Sequence, residues 1–244
     1  MSDKSFLVDL TRCIGCRGCQ IACKQWKKLP GEETKNTGSH QNPPDFSFIT
    51  LRTVRYSEQV TDGKLRWFFT PDQCRHCIDP PCKAATNDPL SVFHDPETGA
   101  VVYNERTAKE PYQTMRAACP YNVPRQNAKT KVVAKCDMCN DRVHAGMLPA
   151  CVKACPTGTM NFGDRDAMLK LAAERLAEAK KEFPRAQLVD AETVRVIFLA
   201  ADDPKLYAKN LLADASSVPP RGPREYTRQE LFAALAKPVR NILE

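Results

Sequence analysis

The spacing of the cysteines constrains this chain more than any other feature. All 12 cysteines of the 244-residue sequence lie between Cys13 and Cys155. An even number of cysteines would suit a disulfide framework. However, repeated C-x-x-C pairs place thiols too close in sequence for most structural bridges, and they are the usual way to hold a metal. The spacing therefore favours metal ligation.

The first and last cysteine runs follow the pattern of a ferredoxin. They read Cys13-x2-Cys16-x2-Cys19-x3-Cys23 and, with a loop inserted, Cys136-x2-Cys139-x11-Cys151-x3-Cys155. In such a run three thiolates hold one [4Fe–4S] cubane, and the fourth thiolate binds the other cluster. Crossed pairing predicts two sites. Site 1 consists of Cys13, Cys16, Cys19 and Cys155, and site 2 consists of Cys23, Cys136, Cys139 and Cys151.

The two middle runs predict one further cluster and the loss of another. Crossed pairing forms site 3 from Cys74, Cys77, Cys82 and Cys119. The same pattern would place a fourth site at Thr86, Lys109, Tyr112 and Met115, none of which is a cysteine. Because all four losses fall on one site, we expect the deletion of a single cluster, whose space Tyr112 and Met115 fill as core. Three [4Fe–4S] clusters then use every cysteine.

Structural zinc is the alternative for these thiols, since four-thiolate zinc sites also use C-x-x-C pairs. Zinc requires neither the third closely spaced thiol of the first run nor the Cys-Pro endings at Cys119 and Cys155. The net charge of +7 is offset by three oxidised clusters of about −2 each. Nucleic-acid binding is therefore not expected, and no basic run interleaved with aromatic residues supports it.

Short apolar segments predict an α+β fold with two ferredoxin-like modules and a helical C-terminal extension. We expect strands at 6–9, 46–56, 65–70, 101–103, 131–134 and 193–200. Hairpin turns are expected at 62–63 and 95–99. Helices are expected at 166–183, 204–213 and 227–236, the last after a Pro-rich connector at 216–223.

The chain divides into a cysteine-rich body and a cysteine-free tail. We expect 1–35 and 130–163 to form the first module with two clusters, and 45–129 to form the second with one cluster kept and one lost. Residues 164–244 form the extension, which packs on the body or on a partner subunit. The longest strongly apolar stretch, 196–201, is too short to cross a bilayer, and the first ten residues lack the apolar segment of a secretory signal.

Residues beside the ligands are candidates for tuning the cluster potentials. The first candidates are Lys24, His76 and Lys83. Further candidates are Arg12, Arg17, Arg75 and Lys153. The two tryptophans, Trp26 and Trp67, are expected in the core.

Four segments carry a resemblance to a known family: 16–27 (CRGCQIACKQWK), 38–45 (GSHQNPPD), 135–143 (KCDMCNDRV) and 149–164 (PACVKACPTGTMNFGD). The chain resembles the ferredoxin-type beta subunits of the dimethyl sulfoxide reductase superfamily. Within that superfamily it is similar to the beta subunits of soluble periplasmic formate dehydrogenases of sulfate-reducing bacteria, which keep three clusters. The likeness spans nearly the whole chain.

The resemblance implies a non-catalytic subunit that relays electrons through three [4Fe–4S] clusters. It implies a catalytic large subunit with a tungsten or molybdenum bis-pyranopterin centre and one further [4Fe–4S] cluster, and an external acceptor such as a cytochrome c. The expected location is the periplasm, reached with the large subunit through the twin-arginine signal of that subunit. Without such a signal the complex would stay in the cytoplasm. Membrane-bound relatives have a C-terminal transmembrane helix, and no such helix is expected in this chain.

Other functions fit parts of the same pattern. The chain would serve equally as the beta subunit of another molybdopterin-dependent enzyme, such as a sulfur, selenium or N-oxide reductase. A free-standing ferredoxin and a zinc-bound interaction module are the alternatives from other classes, although a ferredoxin seldom needs so long a cysteine-free tail.

Overall fold

The computed structural model describes residues 3–36, 38–61 and 63–213. It confirms an α+β fold of short elements. The strands are β1 Lys4–Asp9, β2 Thr53–Thr61, β3 Lys64–Asp72, β4 Val92–His94, β5 Val101–Tyr103, β6 Arg125–Gln126, β7 Val133–Ala134, β8 Met160–Asp164, β9 Gln187–Val189 and β10 Val196–Ala200. The helices are α1 Gly18–Trp26, α2 Pro81–Ala84, α3 Tyr112–Ala117, α4 Asn140–His144, α5 Ala150–Lys153, α6 Arg165–Glu182 and α7 Pro204–Tyr207.

A four-stranded sheet with the order β8-β1-β10-β9 forms the base of the molecule. Strand β10 runs parallel to β1, with Phe6 opposite Val196, and antiparallel to β9. All five residues of β10 are buried, as expected for a strand covered on both faces. Since β10 comes from the cysteine-free part of the chain, that part supplies a central strand to the body. The division into modules stays a prediction.

The two faces of this sheet have different partners. On one face Leu7 and Ile197 pack against Ala172 of the amphipathic helix α6. On the other face Phe6 and Phe198 belong to a hydrophobic core that also contains Cys19 and Cys151. Three antiparallel hairpins, β2–β3, β4–β5 and β6–β7, complete the body. The cysteines of the first and last runs therefore rest on the sheet.

The largest differences in extent concern two of the expected elements. The strand expected at 46–56 begins only at Thr53, because the Ser47 hydroxyl accepts hydrogen bonds from the amides of Ile49 and Thr50. Such side-chain bonds to the backbone compete with strand formation. The helix expected at 204–213 ends at Tyr207. The connector and helix expected at 216–223 and 227–236 lie outside the described residues.

Both tryptophans are partly exposed rather than buried. Trp67 lies on the β2–β3 hairpin and is 43% exposed, and Trp26 at the end of α1 is 38% exposed. The Trp26 indole donates to Asp141 (2.9 Å) and lies beneath the Arg142 guanidinium. Trp26 thus ties α1 to α4 at the surface. In the described part of the chain, no helix has the length and apolar character needed to span a membrane.

Truncation of Ile197 should destabilise the protein strongly. Ile197 is fully buried in the central strand, so I197A loses apolar contacts and leaves a cavity that costs about 2–5 kcal/mol. Val60 is 74% exposed, and V60A should change the free energy of unfolding by less than about 0.5 kcal/mol. Thermal unfolding of both variants under anaerobic conditions measures the difference. Equal melting temperatures would contradict the assigned position of β10.

Candidate metal centres

The structure gathers the twelve cysteines into the three sets that the spacing predicts. One cavity is lined by all four cysteines of site 2, and a second cavity by all four of site 3. In site 1 the Cys13 thiol lies within electrostatic reach of Cys16, Cys19 and Cys155. Across the described residues, no three Cys, His, Asp or Glu donors converge on a position for a single ion. Ligation of clusters by these sets stays a prediction.

Two short helices produce the crossed pairing. Helix α1 carries Cys19 of site 1 and Cys23 of site 2, one turn apart. Cys151 of site 2 lies on α5, and Cys155 of site 1 follows just after this helix. A separation of four residues moves a thiol by about 6 Å along a helix axis, which is enough to direct it to a different site. Because α1 and α5 pack together, each contributes to both sites.

Three of the four C-x-x-C loops, those that begin at Cys13, Cys74 and Cys136, share one backbone turn. The third residue of each of these three loops has a positive φ: Gly15 (65°), His76 (48°) and Met138 (65°). The amides of His76 and Met138 each lie 3.4 Å from the first thiol of their loop, Cys74 and Cys136, and donate to it. A left-handed turn suits glycine but is uncommon for other residues. The turn therefore directs both thiols of each pair toward the same space, which the spacing alone does not reveal.

Most of these thiols lie in surroundings that disfavour a free thiolate. Burial is the main cause that raises the pKa of Cys13 and Cys139 to about 11 and that of Cys23 and Cys119 to about 12. Burial also acts on Cys155, but backbone amides that donate to its sulfur lower its pKa on balance. A buried thiolate needs a nearby positive charge, and iron supplies one. The donor set fits a [4Fe–4S] cluster in each site, and such a cluster supplies one-electron redox chemistry.

Two of the buried cations that border the sites were not among the candidates from the sequence. Arg52 lines the cavity of site 2 and interacts with the thiols of Cys151 and Cys19. Lys135 lines the cavity of site 3. Its ammonium group donates to the carbonyl oxygen of Cys136 (2.9 Å). Lys135 could have been identified from the sequence, because it stands beside Cys136. Arg52 could not, because it lies far from every cysteine in sequence.

The candidates for tuning occupy different surroundings. The Lys24 ammonium donates to the carbonyl oxygens of Pro30 (2.9 Å) and Ile49 (2.8 Å), so it holds a loop. His76 is fully buried, and its Nδ1 accepts from the amide of Val101 (3.0 Å). Burial, with Lys135 and Arg195 nearby, holds the pKa of His76 well below its usual value. Lys83 lies half-buried on α2 beside Cys82. An effect of these residues on potential stays a prediction.

The four residues at the positions assigned to the lost site differ in burial and in their contacts. Met115 is fully buried and packs with Cys82 of site 3, as expected for a residue that fills space. Tyr112 is only half-buried, with its hydroxyl 3.5 Å from the Pro124 carbonyl oxygen. The Thr86 hydroxyl donates to the carbonyl oxygen of Lys83 (2.7 Å), and Lys109 is exposed. Met115 is therefore the member of this set that belongs to the core.

A buried carboxylate anchors α4, which follows Cys139 of site 2. One oxygen of Asp95 accepts a hydrogen bond from the side-chain amide of Asn140 (2.9 Å) and contacts His144 Nε2 (2.8 Å). The other oxygen accepts hydrogen bonds from the hydroxyl (3.0 Å) and the backbone amide (2.9 Å) of Thr98. Burial opposes the charge of Asp95, but these hydrogen bonds outweigh it and hold its pKa well below the usual value. Asp95 raises the pKa of His144 in turn.

The destabilisation caused by D95N should depend on pH. Asp95 has a depressed pKa, so its contribution is present above about pH 4 and is lost in more acidic solution. His144 has a raised pKa, so its contribution is complete below about pH 6.5 and is lost as the pH rises further. D95N should therefore lower the free energy of unfolding most near pH 5–6, by about 1–3 kcal/mol. Thermal unfolding of both proteins at pH 4, 5.5 and 8 measures this. A pH-independent difference would contradict it.

Comparison with known proteins identifies a matching family model and several relatives. Residues 65–165 match the family model described as a 4Fe-4S dicluster domain. The formate dehydrogenase subunit beta of Megalodesulfovibrio gigas is 53% identical over 213 residues, which cover 86% of this chain and 99% of that protein. The formate dehydrogenase 2 subunit beta (cytochrome c-553) of Nitratidesulfovibrio vulgaris is 53% identical over 210 residues, covering 84% and 96% respectively.

A more distant relative shares the same description. The iron-sulfur subunit of the nitrate-inducible formate dehydrogenase of Escherichia coli is 36% identical over 215 residues, which cover 82% of this chain and 70% of that protein. The identities and coverage confirm the family that the sequence segments indicate. The chain belongs to the family of formate dehydrogenase beta, or iron–sulfur, subunits.

Proposed function

We propose that this chain is the electron-transfer subunit of a formate dehydrogenase and that sites 1, 2 and 3 each hold one [4Fe–4S] cluster. The observation that carries the proposal is the assembly of all twelve cysteines into three complete, adjacent sets. Membership of the formate dehydrogenase beta family supports formate chemistry in the complex. In this proposal catalysis belongs to a large subunit, and this chain conducts electrons.

The contacts between sets support a linear order with site 2 in the middle. Helix α1 joins site 1 to site 2, since Cys19 and Cys23 are one turn apart on it. Site 2 meets site 3 where Cys136 and Cys74 share a hydrophobic core with Tyr121. Cys136 also lies within electrostatic reach of Cys74. We therefore infer that electrons pass between sites 1 and 3 by way of site 2.

Site 1 has the features of the end that faces the catalytic subunit. Its ligand Cys16 is exposed, and the neighbouring apolar side chains of Ile14 (61%) and Ile21 (50%) also face solvent. His40, in the polar segment 38–45, lies against Trp67 with 5.1 Å between ring centroids. We propose that this face docks the large subunit, which would bear a tungsten or molybdenum bis-pyranopterin centre and one [4Fe–4S] cluster.

The acceptor and the location are part of the proposal. We propose a cytochrome c as the external acceptor; the name of the Nitratidesulfovibrio vulgaris relative includes cytochrome c-553. We also propose export to the periplasm together with the large subunit. Cell fractionation with and without the signal of the large subunit tests the location, and retention of this chain in the cytoplasm in both cases would refute it.

Reduction by formate tests the function directly. The full chain is mixed anaerobically with its catalytic subunit, and its clusters are followed by electron paramagnetic resonance. Formate should reduce the clusters only when the catalytic subunit is present, whereas dithionite should reduce them in either case. If dithionite reduces the clusters of the complex and formate does not, the chain serves another enzyme. Electron transfer from these clusters to a sulfur, selenium or N-oxide substrate would then identify the alternative.

A further inference from the structure

Two fully buried cations occupy the boundaries between neighbouring cysteine sets. Arg52, 2% exposed, interacts with Cys19 of site 1 and with Cys151 of site 2. Lys135, 6% exposed, lies within electrostatic reach of Cys74 and Cys82 of site 3 and of Cys136 of site 2. Each boundary of the inferred relay therefore contains a buried cation.

Within the described part of the chain, no carboxylate lies within salt-bridge distance of Arg52. Its hydrogen-bond acceptors are all uncharged: the Gln73 side-chain oxygen, the Pro71 carbonyl oxygen (3.4 Å) and the Met160 sulfur (2.9 Å). Among the described residues, its Nε has no hydrogen-bond partner, and the ion pairs within 4.0 Å do not include it. Arginine cannot lose its proton in a protein, so this charge is permanent.

Lys135 is held in a comparable way. Its ammonium group donates to the carbonyl oxygens of Val101 and Cys136 and lies 4.7 Å from the centre of the Tyr103 ring. These neighbours are uncharged, and in the described structure no carboxylate lies within salt-bridge distance of Lys135. A buried cation without a compensating anion is strongly unfavourable. The cysteine sets are the main source of negative charge that both cations face, and Asp137 adds to it at Lys135.

We propose that Arg52 and Lys135 are positioning residues for electron transfer, each raising the reduction potential of the two clusters that it separates. This inference rests on the proposed three-cluster function. A cluster becomes more negative by one charge when it accepts one electron, and no bond forms or breaks, so a nearby fixed cation favours the reduced form. Arg52 acts on sites 1 and 2, and Lys135 acts on sites 2 and 3.

The shared position has a second consequence. When an electron passes between two clusters that lie on either side of one cation, its attraction to that cation changes little. A cation beside only one cluster would instead hold the electron there. Site 2 borders both cations, so the reduction potential of its cluster should depend on both charges.

The test compares neutral and charge-conserving variants of the full chain with its clusters assembled. The neutral variants are R52Q and K135Q, their charge-conserving controls are R52K and K135R, and a surface control is R185Q, whose side chain is 66% exposed. Iron and sulfide per chain are measured first. Redox titration followed by electron paramagnetic resonance then gives the midpoint potential of each cluster.

R52Q should lower the equilibrium constant for reduction of two clusters at least tenfold, which is about 59 mV in midpoint potential for one electron. The midpoint potential of the third cluster should stay near its original value. K135Q should lower the midpoint potentials of two clusters by a similar amount, and exactly one cluster should respond to both substitutions. R52K, K135R and R185Q should shift every cluster by less than about threefold. The common cluster is then that of site 2.

Several outcomes would overturn the inference. Unchanged potentials in R52Q or K135Q at full iron content would do so, as would an equal shift of all three clusters or a shift in R52K as large as that in R52Q. If R52Q loses iron, R52K must retain it and K135Q must still shift two clusters; otherwise the inference is wrong. Absence of iron from the unsubstituted chain would instead refute the proposed function.

Discussion

The C23A variant should lose the cluster of site 2 and keep that of site 1. Cys23 ends the same sequence run as Cys13, Cys16 and Cys19, so a reading of the run as one local site predicts the opposite result. In the structure, Cys23 lines the cavity formed by Cys136, Cys139 and Cys151. Iron should fall from about 12 to about 8 atoms per chain, and the spectrum of the site 1 cluster should persist.

The reciprocal substitution makes this result decisive. C155A should remove the cluster of site 1 and retain that of site 2, although Cys155 ends the last run. I21A changes an exposed residue of α1 and should retain all of the iron. Electron paramagnetic resonance of the reduced variants distinguishes the remaining clusters. If C23A and C136A abolish different spectral components, Cys23 does not belong to site 2 and the crossed pairing is wrong.

Removal of iron by an oxidant and a chelator should unfold the cysteine-rich body. Helices α2, α4 and α5 contain only four or five residues each, and isolated helices of that length are unstable in water. Cysteines are also members of the main hydrophobic cores. Without clusters, Arg52 and Lys135 would remain buried and would lose the negative charge of the clusters beside them, which is strongly unfavourable.

The expected loss of stability is large. Structural zinc contributes on the order of 10 kcal/mol to small metal domains, and a contribution of that size from even one cluster exceeds the net stability of many proteins. The iron-free chain should lose its near-ultraviolet circular dichroism and its cooperative thermal transition, and cluster reconstitution should restore both. A control sample treated with the chelator but without the oxidant should keep its iron and its transition. An iron-free chain that melts within a few degrees of the original protein would contradict the account.

The grouping of the cysteines could be predicted because ligand spacing reflects cluster geometry. A cubane needs several thiols within a short segment and one from elsewhere, and this requirement is visible in the sequence. The turn residues His76 and Met138 could not be identified in the same way. Their left-handed backbone is uncommon for side chains of this type and depends on tertiary packing.

Long-range pairing explains most of what the sequence did not reveal. The apolar run at 196–200 could be recognised as a strand. Its position beside β1 depends on the pairing of Phe6 with Val196, which are far apart in sequence. Local patterns carry no information on such a pairing. The same holds for Arg52, which reaches the cysteines only through the fold. The exposure of Trp67 was mispredicted because hydrophobicity alone does not show which face of a hairpin meets solvent.

The central claim is that the chain holds three [4Fe–4S] clusters and has lost a fourth. The most direct measurement is the iron and acid-labile sulfide content of the full chain, purified anaerobically and free of its catalytic subunit. The account predicts about 12 of each per chain. About 16 iron atoms would show that Thr86, Lys109, Tyr112 and Met115 do not mark a lost site, and zinc in place of iron would contradict the electron-transfer function itself.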